Sequence, residues 1–495
     1  VLLTAGFPRL ELPWLSWVAL IPLFIAVRGK SWKQALILGF ACGMAHYLTA
    51  VYWIVHAVSN FGGLPFVVAV LLLVLLCSYL ALYTALFALA ANRWENSPLL
   101  WALGLPFVWV ALELVRAHAL TGFPWANLGY TQTPFASLMQ TADITGVYGV
   151  SWLVVFGNTC LASYLNRNRL HRVAAVFAVC LIGAVLYGNW RIGVVEGLQK
   201  GAAPFEVGVV QGNIEQSLKW DPAFQLETLD RYRRLSLDAT GHNPTPRLLV
   251  WPETSAPFVY GNDKALTRIL QGILAEIGVP VLFGSPAVEW RGADPNPRFF
   301  NRSYLVDGRG ALLGSYAKQH LVPFGEYVPL RKILFFAERL VESVGDFTPG
   351  ADPSPLKLDG QKLGILICYE DIFAYLGRSA VNHGANMLVN ITNDAWYGVS
   401  SAPYQHVEMA AWRAVEFRVP MIRAANTGIS AIIDAAGRAC GSIPLNEEGF
   451  LVCSVKPIAL TTFYARWGDI FAQGCVLIAF VLVIISFRSE RFYRS

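Results

Sequence analysis

Two hydrophobic rhythms divide the chain. Through the first 190 residues and again near the C-terminus, apolar residues run over 34–58, 64–91, 98–115, 146–165, 173–189 and 470–487. Each run approaches or exceeds the roughly 17 to 25 residues that a helix needs to cross a bilayer. A shorter run, 14–27, beginning near Leu10, brings the expected count of spans to seven. From 190 to 469 the period changes: short apolar runs of strand length alternate with amphipathic stretches of helix length, which predicts an α/β domain. Strands are predicted over 205–211, 247–251, 279–284, 303–307, 363–368, 386–391, 429–434 and 450–455, and helices over 222–238, 264–276 and 402–418. The Pro- and Gly-bearing stretch 344–360 reads as a surface loop. The expected organisation is therefore a helical membrane domain over 1–190, an α/β domain over 191–466 and a last span with its tail over 467–495. The chain opens on Val1-Leu2-Leu3 without an initiator methionine, which leaves room for a truncated upstream span. No cleavable signal pattern is visible, and the first span can serve as the insertion signal.

Composition agrees with a membrane protein: 55% of residues are apolar and 14% charged, against about 25% charged in soluble domains. Positive charges then orient it. Arg28, Lys30, Lys33, Arg93, Arg167, Arg169, Arg172, Arg488, Arg491 and Arg494 follow alternate spans, whereas the intervening connections hold almost none. Basic loops stay in the cytoplasm, so 190–469 is expected to face away from the cytoplasm. That segment holds 26 Lys and Arg against 28 Asp and Glu, and the rest of the chain 12 against 5. The net charge of +5 thus reports topology and argues against a nucleic-acid partner.

The eight cysteines form no CxxC pair and no His spacing suited to zinc. Cys42, Cys77, Cys160, Cys180 and Cys475 lie in apolar spans, where a cysteine is usually a small hydrophobe. In an oxidising compartment Cys440 and Cys453 can pair across adjacent strands, leaving Cys368 free.

Several polar clusters fall where predicted strands end: Gln211-Gly212-Asn213, Trp251-Pro252-Glu253, Cys368-Tyr369-Glu370 and Asn390 to Asp394. Carboxyl ends of strands are where α/β sites assemble, so these clusters are expected to converge. Cys368 closes an apolar run. A helix beginning near Glu370 would aim amides at its sulfur, and amides together with a nearby lysine depress a thiol pKa, so a thiolate is expected. Glu253, its approach set by Pro252, suits a general base. Lys318 would stabilise the thiolate and then the oxyanion of a tetrahedral intermediate. Taken singly, each has a plainer reading as a structural cysteine, an exposed acid and a solvated lysine.

Together the contexts Trp251-Pro252-Glu253, Tyr316-Ala317-Lys318 and Cys368-Tyr369-Glu370 resemble the carbon-nitrogen hydrolase (nitrilase) superfamily. Gln211-Gly212-Asn213-Ile214 through Lys219-Trp220, His320-Leu321-Val322-Pro323-Phe324-Gly325-Glu326, Thr392-Asn393-Asp394-Ala395-Trp396-Tyr397-Gly398 and Leu120-Thr121-Gly122-Phe123-Pro124-Trp125 narrow the resemblance to the apolipoprotein N-acyltransferase family. Seven expected spans against that family's eight is the main departure. The resemblance implies a polytopic α-helical membrane domain carrying a four-layer αββα domain. Cys368 would take an acyl chain from the sn-1 ester of a phospholipid as a thioester and pass it to the α-amine of a diacylglyceryl-modified cysteine in an apolipoprotein. Glu253 would shuttle the proton, and the kinetics would be ping-pong. Glu326, Tyr369 and Glu370 would support the triad, Glu326 by orienting Lys318 or lining the mouth. Trp220, Phe324, Trp396 and Tyr397, with Tyr327, would line an interfacial mouth, or else simply pack the core. No cofactor, no metal and a monomer are expected.

Drawing a chain of roughly 16 carbons into water costs about 12 kcal/mol at about 0.8 kcal/mol per CH₂. A pocket that opens on the bilayer avoids that cost. Glu113 and Arg116, three apart on one span, are placed to pair on one helix face, and His406 and Glu416 read as structural or supporting residues. Loops 324–330 and 396–403 combine aromatics, Gly and Pro, and are expected to gate the pocket. Two competing readings remain: a membrane-tethered amidase, which would release free acid or ammonia, and a transporter, disfavoured by spans almost free of mid-span charge.

Overall fold

The computed structural model describes residues 1–165, 170–290, 297–327 and 347–494. The chain divides into two compact units, one of 1–55, 65–194 and 462–495, the other of 195–461 with 56–64.

The first unit is helical: α1 (Trp32–Ala50), α2 (Ile54–Asn60, shared with the second unit), α3 (Phe66–Arg93), α4 (Pro98–His118), α5 (Val147–Leu165) and α6 (His171–Gly201, running into the second unit), closed by a helix over Ile470–Arg494. Ser31 and Gln34 close a reciprocal capping box that starts α1, and Pro98 occupies the first position of α4, where its missing N–H costs nothing. Among the described residues α3, α4 and α6 are long and apolar enough to cross a membrane, with a fourth span if α1 and α2 count as one despite their 57° bend. The last expected run, 470–487, belongs to the helix Ile470–Arg494, whose 17 apolar-stretch residues Ile470–Ser486 fall just short of a full span, and the other differences from the expected seven have local reasons. The run 34–58 breaks after Ala50, and 14–27 splits into a short turn and a seven-residue helix, Ile21–Val27. In α5 the apolar run is diluted by buried polar side chains: Asn158 donates to the carbonyl of Ser16 and Thr159 to that of Ala102. Glu113 and Arg116 do not pair with each other. Arg116 donates to Tyr47 and Asn127, and Glu113 accepts from Trp109 and the Leu128 amide, because turn residues offer each a closer partner.

The second unit is a sandwich of two six-stranded sheets, ordered β12-β1-β2-β3-β4-β5 and β11-β10-β9-β8-β7-β6. Each is parallel at its centre and antiparallel at its flanks: β1 (Phe205–Gln211), β2 (Leu248–Val250) and β3 (Val281–Glu289) run parallel, as do β7 (Gln361–Ile367), β8 (Met387–Thr392) and β9 (Met421–Ala425). Both faces of such strands are covered. α7 (Gln225–Thr240) packs on the first sheet and against α8 (Lys264–Ile277), while α9 (Ala374–Asn382) and α10 (Ala402–Phe417) pack on the second, giving the expected αββα layers. Asp263 caps α8 by accepting from two amides, and Gly278 ends it in the left-handed conformation.

The remaining strands are β4 (Arg298–Val306), β5 (Leu312–Ala317), β6 (Leu356–Leu358), β10 (Ser430–Ile433), β11 (Ala439–Ile443) and β12 (Gly449–Val455). Four strands were not anticipated. β5, β6 and β11 are short flanking strands with weak apolar alternation, β6 lying inside the expected loop 344–360, of which 344–346 fall outside the described residues. β9 is wholly buried but carries Arg423 at its centre, and a charge there masks the apolar run. α9 was also missed. A disulfide joins Cys440 on β11 to Cys453 on β12, so it staples one sheet to the other.

Candidate active site

Three strand ends carry the candidate triad. Trp251, stacked on Tyr232 and bonded through its indole to Ser236, anchors the loop after β2 that carries Glu253. Gly284 on β3 lets that loop lie close, since a Cβ there would stand 2.4 Å from the Thr254 amide nitrogen. Lys318 follows β5, its main chain pinned to Asn301 and Gly350. Cys368 follows β7 and opens a five-residue turn, Cys368–Ile372, with φ of +53°, a left-handed conformation rare outside glycine and typical of functional sites.

Lys318 is the hub of a buried ion cluster. Its Nζ lies 2.9 Å from Glu326 Oε1 and 3.9 Å from Glu253 Oε1. Asn301 donates to both carboxylates, at 2.7 Å to Glu253 and 3.0 Å to Glu326. Burial opposes the lysine's charge, but the two carboxylates outweigh it and hold the ammonium above its ordinary range. Glu326 makes the shorter contact to the lysine, and its second oxygen accepts from the Val322 amide. Glu253 Oε2, by contrast, is buried with no hydrogen-bond partner among the described residues.

The thiol differs from expectation. Burial pushes the Cys368 pKa up, the Glu253 carboxylate pushes it further, and Lys318 offsets only part of this. Burial therefore works against the expected thiolate and favours the neutral thiol. The short turn after Cys368 is also no substitute for a long helix aimed at the sulfur, because α9 begins only at Ala374.

Glu370 acts as a backbone clamp. Its carboxylate accepts from the amides of Ile367, Gln319 and His320 at 2.7, 2.6 and 3.0 Å and from the Tyr316 hydroxyl. One buried side chain thus ties the segment before Cys368 to the segment after Lys318, and burial raises its pKa to about 7 despite those amides. Tyr369 is buried edge-on to Phe373. Trp220 and Phe324 are 47% and 44% exposed, which suits a mouth, whereas Tyr397 is buried and packs edge-on to His406. Trp396 lies edge-on to Phe61. Of the expected gating loop 324–330, residues 328–330 fall outside the described ones.

The Gln211-Gly212-Asn213 cluster does not join the triad. Gln211 bonds to Pro444, Glu447 and Ser430, and Asn213 to Asn426 and Asn446, lacing the end of β1 to neighbouring loops. Sequence reasoning gave no role to Asn301, a lone amide in an apolar strand, or to Lys219. That lysine is buried, donates to the Glu253 carbonyl at 2.9 Å, and is lowered by burial to about 8. Its signal was a lysine beside an aromatic residue in a quoted motif. Glu416 pairs with Arg413 on α10, a structural role.

An αββα sandwich with Glu, Lys and Cys at three strand ends, continuous with apolar helices, defines a membrane-attached enzyme of the carbon-nitrogen hydrolase type. Residues 206–462 match the carbon-nitrogen hydrolase family, and residues 1–160 match the apolipoprotein N-acyltransferase N-terminal domain. The apolipoprotein N-acyltransferase of Geobacter metallireducens is 43% identical over 100% of this chain and 95% of its own length; that of Methylococcus capsulatus is 35% identical over 93% and 90%. The chain belongs to the apolipoprotein N-acyltransferase family, and N-acyl transfer to apolipoproteins is its activity. A crystallised amidase from Nesterenkonia sp. is similar at 22% identity, over 54% of this chain and 95% of its own, with a TM-score of 0.39.

Proposed function

We propose that the transfer runs through an acyl-Cys368 thioester with a phospholipid as donor and the N-terminal amine of a diacylglyceryl apolipoprotein as acceptor. In the first half, Glu253 takes the Cys368 proton as the sulfur attacks the sn-1 ester carbonyl carbon. The Lys318 ammonium offsets the oxyanion. Collapse breaks the C–O bond, and the departing lysophospholipid oxygen takes the proton from Glu253. In the second half the neutral α-amine attacks the thioester and Glu253 takes a proton from it. Collapse breaks the C–S bond, and the sulfur recovers the proton. The observation that carries this reading is the buried, partnerless Oε2 of Glu253, whose charge acts on the buried Cys368 thiol: a base with one oxygen held by Asn301 and the other left for the travelling proton.

Trp220 and Phe324, half-exposed, suit contact with the acyl chain, and Tyr369, Trp396 and Tyr397 suit shaping its pocket. The α/β domain, over 191–466, faces the periplasm in this reading. The Cys440–Cys453 disulfide supports an oxidising compartment, and the basic flanks of the apolar runs support the same side. The enzyme acts as a monomer.

Intact-mass measurement of the purified protein after incubation with phospholipid tests the mechanism. A fatty-acyl mass gain released by neutral hydroxylamine, absent in Cys368→Ala, is expected, with lysophospholipid as co-product. An adduct on another residue, or free fatty acid as the only product, would overturn it.

A further inference from the structure

We propose that Arg423 and Asn390 are positioning residues for acyl transfer, holding the Cys368 turn in the left-handed conformation that presents its sulfur. The proposal rests on Cys368 being the nucleophile. Left-handed backbone at a non-glycine residue costs roughly 1–3 kcal/mol and persists only where the surroundings over-determine it. Here three parallel strands do so. Leu366 on β7 is in register with Asn390 on β8, and Asn390 with Arg423 on β9. The Asn390 amide donates to the carbonyls of both Leu366 and Cys368 at 3.1 Å, fixing the backbone on either side of Ile367. Its own oxygen accepts from Arg423 Nη1, so the amide cannot turn over.

Arg423 also holds the far side of the turn. Nη1 donates to Asp371 Oδ2 at 2.9 Å and Nη2 to Asp394 Oδ2 at 2.7 Å. His406 bridges the same two carboxylates, 2.6 Å from Asp371 and 3.0 Å from Asp394. Thr392 donates to Asp394 at 2.9 Å. Gly428 makes room for that carboxylate, since a Cβ there would meet Asp394 Oδ2 at 2.4 Å. Asp371, His406 and Arg423 are wholly buried and Asp394 nearly so. Apolar residues of similar volume often stabilise a core as well as such ions do, so stability alone is a weak account of them. Their geometry converges on the two ends of one turn, Cys368 through Asn390 and Asp371 directly.

The test compares wild type with Asn390→Ala, Arg423→Lys and Thr392→Val in detergent, with thermal melting as the check on folding. Acyl-enzyme formation is followed in single turnover against phospholipid concentration, and Cys368 alkylation is followed with iodoacetamide, a small electrophile that needs no aligned ester. Asn390→Ala and Arg423→Lys are expected to slow acylation about 100-fold, with half-saturating phospholipid and alkylation each within about threefold of wild type. Folded variants that acylate at the wild-type rate overturn the proposal. So does an equal loss of alkylation, or misfolding of both variants while Thr392→Val acylates normally, which would assign the cluster to stability. If wild type itself forms no thioester, the reading of Cys368 fails instead.

Discussion

Two buried charge clusters serve the hydrolase unit, one joined by Lys318 and one by Arg423, and they differ in how completely they are bonded. Around Arg423 both carboxylates and the neighbouring amide have matched partners. Around Lys318 one carboxylate oxygen, Glu253 Oε2, has none among the described residues. A buried unmatched acceptor costs about 1–3 kcal/mol, and folded proteins keep few of them. The difference separates a cluster that holds the backbone from one that leaves a place for a proton. Within the same site the two carboxylates raise the Lys318 ammonium, while burial raises the Cys368 thiol.

The comparison breaks first at Glu253. Removing the base should lower the single-turnover acylation rate about 10²- to 10⁴-fold in Glu253→Gln, while the melting temperature stays near wild type. An unchanged rate would remove the unmatched oxygen from the chemistry. Stability should respond in the opposite order. Arg423→Ala leaves Asp371 and Asp394 without their shared cation, and chemical denaturation should register a loss of about 3–5 kcal/mol. A loss below about 1 kcal/mol would mean that the cluster is not coupled to the fold.

The staple between the sheets is next. Its cysteines are 13 residues apart, and opening so short a loop by Cys440→Ser with Cys453→Ser should cost about 3 kcal/mol. Reductant should lower the wild-type melting temperature to that of the double variant and leave the variant unmoved.

The smallest effect is a pH dependence at Lys219, which burial lowers to about 8 from an ordinary 10.5. Below about 8 the lysine is charged in both folded and unfolded chains, and the full cost of burying that charge is present. Between about 8 and 10.5 the unfolded chain binds more protons, so this group makes stability rise with pH by at most about 1.4 kcal/mol per unit. Stability of wild type minus that of Lys219→Met, followed from pH 7 to 10, should rise through this window. A flat difference would show that the ammonium is better solvated than its burial implies.

The periodicities alone determined the division into apolar helices and an α/β insert, and the contexts of Glu253, Lys318 and Cys368 alone marked them as the candidate triad, because strand ends and motif spacing are local properties of a chain. Short flanking strands were less legible, and β9 was hidden by Arg423, a charge whose partners lie 29 and 52 residues away in sequence. Only the tertiary structure decided the protonation of the Cys368 thiol, the pairing of Glu326 with Lys318, the partners of Glu113 and Arg116, and the existence of the Arg423 cluster. All four depend on burial and on groups that the fold brings together, even where, as for Glu326 and Lys318, only eight residues separate them. Those terms vary with distance through space and solvent exclusion, and neither quantity is written in the order of residues along the chain.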